Sequence, residues 1–133
     1  MSLNPKHQWL AVHASGHTLA VGTEDAAFWQ GRPDTVICGP ETMGDKDHFD
    51  TVVLGEVLQL VDDPQALLRQ AIKLIIVVPN EHSWDAQFQP FKNAKHKRVY
   101  DTEALAQELD KAGRKYRIED VSYQGWSFLC ASC

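Results

Sequence analysis

The sequence contains no long hydrophobic run. Its longest uninterrupted apolar stretch is Leu74 to Val78, far short of the roughly 20 residues a helix needs to span a bilayer, so no membrane segment is expected. Positive charge is also scarce. Thirteen Lys and Arg stand against eighteen Asp and Glu, a net charge of -5, which leaves no basic field to draw in nucleic acid or an anionic membrane surface. Cysteine is sparse: only Cys38, Cys130 and Cys133 occur. An odd number of cysteines, with no basic-then-apolar leader to direct secretion, fits reduced thiols in a cytoplasmic protein better than a bridged scaffold. The chain has no internal repeat and no low-complexity tract, which argues against solenoids and disordered linkers.

What is present is an ordinary globular composition. With 133 residues, 44% hydrophobic and 23% charged, the chain reads as a single domain, residues 1–133, with one core. Short apolar runs alternate with stretches of helical period. Gln8 to His13 hold Trp9, Leu10, Ala11 and Val12 and end at Ala14-Ser15-Gly16, which predicts a short helix stopped by glycine. Thr18 to Gly22 reads as a strand covered on both faces, and Thr23 as the cap of a helix reaching about Gln30. Thr35 to Cys38 is a second buried-strand candidate and Phe49 to Gly55 a third, followed by a short amphipathic turn from Glu56 to Leu60.

Asp62-Asp63-Pro64 is a helix start, with an Asx cap and a proline where its missing N–H is harmless. Leu67, Leu68, Ala71 and Ile72 form that helix's apolar stripe. Leu74 to Val78 is a fourth strand, and Glu81 to Val99 is polar and aromatic without a clean period, a long loop. Asp101 or Thr102 caps a helix carrying Leu105, Leu109 and Ala112, closed by Gly113. Tyr116 to Tyr123 and Ser127 to Ala131, around Gln124-Gly125-Trp126, read as an antiparallel hairpin. Strands alternating with helices make the class α/β, a mostly parallel sheet with helices on both faces. In such sheets ligands collect at the carboxyl ends of the strands, here Gly22-Thr23, Gly39 to Met43, Leu54 to Val57 and Pro79 to Trp84.

Phe49 to Leu58, then Val61-Asp62-Asp63-Pro64 with Leu67-Leu68, resembles the fourth strand, turn and next helix of the class I S-adenosylmethionine-dependent methyltransferases, in particular their small-molecule group. Pro79-Asn80-Glu81 looks like the end of that family's fifth strand. His96 to Asp101, with Leu105, Leu109 and Ala112-Gly113, is similar to the segment entering its late helix. The resemblance covers about residues 49 to 120 and implies a three-layer Rossmann-like methyltransferase fold. It also implies S-adenosylmethionine as cofactor and a small-molecule methyl acceptor.

The first half departs from that pattern. The family's Gly-x-Gly-x-Gly loop is reduced to Gly22, followed by Thr23-Glu24-Asp25. Glu24 and Asp25 put side chains where the family keeps bare backbone and are expected to obstruct the cofactor, although Asp25 could instead attract its cationic groups. The family uses acids after its second and third strands to hold the ribose hydroxyls and read the adenine amine; Glu41 is the near substitute here. Residues 23 to 48 number 26, whereas a strand–helix–strand unit takes about 30 or more, so one strand–helix unit is missing. The family's Pro-Gly-Gly turn is also absent before Leu74, so the preceding helix is expected to be cut short.

On this resemblance Gly22, Glu41, Leu54 and Gly55 line the cofactor side. Glu56 and His82 are the catalytic candidates, and Asn80, Trp84, His96 and Arg98 face the acceptor. Each has a plainer reading. Gly22 also suits a strand-to-helix turn for backbone reasons, Glu56 a solvated acid at a helix start, and His82 an exposed loop, although histidine is the residue type that titrates near neutral pH. Lys92, Lys95, Lys97 and Arg98 around His96 suit an anionic acceptor or simply a solvated loop. Of the six histidines only His13 and His17 stand four apart, and the helix stop at Ala14-Ser15-Gly16 lies between them, so no pair has the spacing on a helix and no metal is expected. Cys130-Ala131-Ser132-Cys133 matches C-x-x-C on a strand rather than at a helix start and is incidental. A non-enzymatic relative that has lost the cofactor is the alternative, a pseudoenzyme with an exposed edge covered by a second copy or a protein partner.

Overall fold

The computed structural model describes residues 4–22, 25–39, 49–69, 73–80, 100–123 and 126–133. Asn4 opens the first helix: its side-chain oxygen accepts the His7 N–H at 2.8 Å, and Pro5 occupies the first turn. Helix α1 therefore runs Pro5–His13, starting earlier than Gln8, and stops at Ala14, whose backbone is extended. Gly16 is not its stop. At φ +70° it lies against Asp50, whose carboxylate accepts the His17 N–H at 2.8 Å.

Strand β1 (Thr18–Val21) is buried at every position. Helix α2 (Ala26–Gln30) has Asp25 rather than Thr23 at its cap, and Asp25 makes no capping bond because its carboxylate is engaged elsewhere. Strand β2 (Thr35–Cys38) was expected to be buried, but it is the sheet's edge and Val36 is 44% exposed. Strand β3 (Thr51–Gly55) begins after Phe49 because Asp50 turns toward His17. Helix α3 (Pro64–Leu68) is capped by Asp63, which accepts the Ala66 N–H at 3.3 Å; the stripe expected to reach Ala71 and Ile72 passes outside the described residues.

Strand β4 (Leu74–Pro79) is buried throughout. Helix α4 (Thr102–Lys111) is capped by Asp101, which accepts the Ala104 N–H at 2.7 Å, and Gly113 follows in the left-handed conformation at φ +73°. Strands β5 (Arg117–Tyr123) and β6 (Trp126–Ser132) form the hairpin. Trp126 pairs with Tyr123, so it belongs to the strand and not to the turn.

The six strands lie in the order β2-β1-β3-β4-β6-β5. The first three contacts are parallel, and β6 then runs antiparallel to both β4 and β5. Between β1 and β3 the described residues hold one helix and one strand, α2 and β2, as the short segment requires. Alternation of side chains divides the core into two layers. Leu19, Val21, Val52, Leu54, Ile76 and Leu129 pack with Leu68 of α3 and with Leu105 and Leu109 of α4. Ala20, Val53, Ile75, Val77 and Cys130 pack on the other face with Trp9 and Leu10 of α1 and Trp29 of α2. That second face carries α1 to the carboxyl ends of β1 and β3.

Candidate functional site

Parallel pairing brings the ends of β1, β3 and β4 to one edge, and antiparallel β6 returns to it with Phe128, the partner of Pro79. The edge is closely built at Gly22. With φ +103°, a Cβ there would stand 2.5 Å from the Gly55 carbonyl oxygen and 2.9 Å from Val57 Cγ1. Gly22 thus meets a packing requirement of the fold itself. Gly55 lies opposite, its own Cβ position 3.4 Å from the Val21 carbonyl oxygen.

Glu56 follows in the left-handed region at φ +58°, a conformation that costs a non-glycine residue about 1–2 kcal/mol. Its N–H donates to the Val77 carbonyl at 2.8 Å, and its own carbonyl accepts from Gln59 Nε2 at 2.7 Å. This turn aims the Glu56 carboxylate inward, where its side chain is only 12% exposed and Oε2 lies 3.0 Å from Lys6 Nζ. The plain expectation of a solvated acid does not hold.

Lys6 comes from the first turn of α1 and is itself buried. Its ammonium also lies 3.0 Å from Asp25 Oδ1 and 4.4 Å from the centre of the Phe128 ring. His7 Nε2 reaches the same Asp25 Oδ1 at 2.7 Å while its ring stacks on Phe28. Asp25 Oδ2 is buried and has no hydrogen-bond partner among the described residues. Burial acts to lower the Lys6 pKa, but attraction to Glu56 and Asp25 outweighs it, and the group is held above the ordinary lysine value of 10.5. The edge therefore holds a charged lysine between two carboxylates supplied by different loops.

Among the other residues expected at the site, Leu54 is fully buried in the layer under α3 and α4, so only its backbone faces the edge. Asn80 is buried and donates its N–H to the Ser127 carbonyl at 2.9 Å, fixing the end of β4. Thr23, Glu24, Glu41, His82, Trp84, Lys92, Lys95, His96, Lys97 and Arg98 lie outside the described residues. Among the described residues no group of three or more His, Cys, Asp or Glu could hold a metal ion, and no helix is long and apolar enough to cross a membrane. None of the three cysteines is bridged. Burial pushes the Cys130 thiol up to about 12, and Cys130 and Cys133 join opposite layers of the core.

Lys6 and His7 are the site residues that sequence reasoning missed. A signal for Lys6 was present. The first turn of α1 carries no acid, and a cation at the positive end of a helix is unfavourable unless something else holds it.

No family model matches the sequence, and no curated protein matches it. Solved structures do resemble it. A SAM-dependent methyltransferase from Thermotoga maritima superposes with a TM-score of 0.68 at 16% identity, over 96% of this chain and 86% of its own. The magnesium protoporphyrin IX methyltransferase of Synechocystis, with SAH bound, gives 0.60 at 12% identity over 96% of this chain and 79% of its own. An S-adenosylmethionine-dependent methyltransferase from Mesorhizobium loti gives 0.51 at 15% identity over 94% and 84%. The protein has a class I methyltransferase-like fold, shortened before β3 and closed by an antiparallel hairpin.

Proposed function

We propose that the protein binds S-adenosylmethionine at the carboxyl ends of β1 and β3 and passes its methyl group to a small-molecule acceptor. The observation that carries this reading is the charge set at that edge of a methyltransferase-like sheet: Asp25 and Glu56 with Lys6 between them. The cofactor's methionine part bears a sulfonium, an ammonium and a carboxylate. The two acids suit its cations once Lys6 gives way, and the buried Asp25 Oδ2, without a partner among the described residues, leaves an acceptor for a further donor. The donor set fits the methionine part, and Asp25 acts on this reading as an attractor of cations rather than as an obstruction.

When bound, the cofactor supplies an electrophilic methyl group. The chain's contribution is alignment. Gly22, Gly55 and the Leu54 backbone border the cofactor, and Glu41 is assigned to its ribose hydroxyls. Glu56 is assigned to the catalytic side, and Asn80 to the start of the acceptor side. His82 is assigned there as base, with Trp84, His96 and Arg98 around the acceptor. Calorimetric titration with S-adenosylmethionine and with its demethylated product, S-adenosylhomocysteine, tests the reading. Saturable binding of both is expected, and absence of heat at about 1 mM ligand, a concentration that would reveal binding free energies of only about -4 kcal/mol, overturns it.

A second reading is favoured by the half-exposed edge strand β2, where Val36 is 44% exposed, together with the lysine that fills the cofactor edge. On that reading the fold serves as an interaction module that pairs with a second copy or a protein partner. Sedimentation of the cofactor-free protein as a dimer, with no response to S-adenosylmethionine, is its expected signature.

A further inference from the structure

We propose that Asp25 and Glu56 form a binding site for an organic cation and that Lys6 is its built-in occupant, an internal ammonium that pins helix α1 across the edge until a ligand's cation displaces it. The inference rests on the cofactor reading only for the identity of that ligand.

Three observations converge. Carboxylates from two loops meet one ammonium, Oδ1 of Asp25 and Oε2 of Glu56 each 3.0 Å from Lys6 Nζ. An ammonium has three donors. Two of them face the carboxylates while the Phe128 ring lies 4.4 Å from the nitrogen, yet Asp25 Oδ2 stays buried and without a partner among the described residues. Lys6 as placed thus leaves one acceptor of the site unfilled. The ring, moreover, attracts cations that carry no N–H at all, which widens the site's chemistry from ammonium to sulfonium.

The occupant is poorly placed for permanence. Lys6 sits in the first turn of α1, where the helix dipole opposes its charge, and its flexible four-carbon stem lets the head leave without unwinding the helix. Glu56, by contrast, is held in a left-handed backbone conformation whose N–H and carbonyl are both engaged. Glu56 is thus the fixed side of the site and the lysine head the movable one. Binding of a ligand cation is therefore opposed by an internal competitor, and the observed affinity is the intrinsic one reduced by the fraction of molecules in which Lys6 has withdrawn.

Chemical rescue tests the site without any cofactor. Lys6→Ala opens the space of the lysine stem and leaves the two carboxylates without their shared ammonium, Asp25 Oδ1 keeping His7 Nε2 at 2.7 Å. n-Butylammonium is expected to raise the variant's melting temperature with a saturable dose response, while n-butanol, of similar shape and no charge, leaves it unmoved and neither shifts the wild type. Equal rescue by the alcohol, or none by the ammonium, overturns the cation site. Where Lys6→Ala does not accumulate in folded form, the same comparison is read as the yield of folded protein after refolding with ammonium or alcohol.

A second measurement addresses displacement. In calorimetric titration Lys6→Ala is expected to bind S-adenosylmethionine roughly tenfold more tightly than wild type, because the competing head is gone. An equal gain for S-adenosylhomocysteine assigns the site to the ligand's ammonium, and a gain confined to S-adenosylmethionine assigns it to the sulfonium. Unchanged or weaker binding by the variant overturns displacement. If neither protein binds either compound, the cofactor reading fails and the rescue result alone decides the cation site.

Discussion

Gly22 and Gly55 face each other across the ends of β1 and β3 so closely that a single added carbon at Gly22 would stand 2.5 Å from the Gly55 carbonyl oxygen. The obstacle is backbone, held on one side by the parallel register of Val21 with Leu54 and on the other by that of Gly55 with Val77. No rotamer change relieves it.

Gly22→Ala is therefore expected to destabilise the protein by about 2–4 kcal/mol, combining left-handed strain with overpacking. Gly113→Ala provides the contrast. Its φ is also positive, at +73°, but an added Cβ there meets nothing within 4 Å, so only the conformational cost of about 1–2 kcal/mol applies. Urea unfolding of both variants, with unchanged slope and shifted midpoints, measures the difference.

The raised pKa of Lys6 fixes an alkaline limit. Its folded value lies above the 10.5 of an ordinary lysine, so the stability it contributes is present in full below that value and is lost as pH rises through the folded pKa. Melting temperature followed from neutral pH to about pH 12 should fall more steeply at the alkaline end for wild type than for Lys6→Met. At neutral pH the variant should be less stable by about 3–5 kcal/mol, because the ammonium that both buried acids share is lost.

Leu105 and Leu109 are both fully buried between α4 and the sheet. Truncation of either to alanine is expected to cost about 2–5 kcal/mol. Gln107, on the exposed face of the same helix, should change stability by no more than about 0.5 kcal/mol when replaced by alanine. Thermal melts of the three variants check the helix's orientation.

Cys130 has a thiol pushed up to about 12 by burial, and burial also raises Cys133. Iodoacetamide at neutral pH should leave Cys130 unmodified in the native protein and alkylate it in denaturant, as read by peptide mass spectrometry. Rapid native labelling of Cys130 would show a thiolate that this packing does not support.

Strands were legible because burial on two faces writes itself as short apolar runs. Leu74 to Val78 and Thr18 to Val21 were bounded almost to the residue. Caps were legible where Asp precedes proline or a helical stripe, as at Asp63 and Asp101. The start of α1 was missed although Asn4-Pro5 carries the same chemistry, because the apolar period begins only at Trp9. β2 was read as buried because Thr-Val-Ile-Cys is what a covered strand also contains, and edge position depends on pairing rather than on local composition. The site was the least legible. Lys6 and Glu56 are fifty positions apart in the chain, and a contact of that separation leaves no periodic trace. Glu56 could be named because its position follows a recognisable strand, whereas Lys6 could be found only by asking why a cation stands at the wrong end of a helix.

Strand β6 lies between β4 and β5, although it is the last of the three in sequence. A nascent chain that has emerged only as far as Tyr123 therefore presents β4 with an open hydrogen-bonding edge and β5 with no neighbour to zip against. Synthesis must run past Trp126 before the sheet can close. Until β6 has formed, the flank of Leu74–Pro79 that it covers stands open to pairing with another chain.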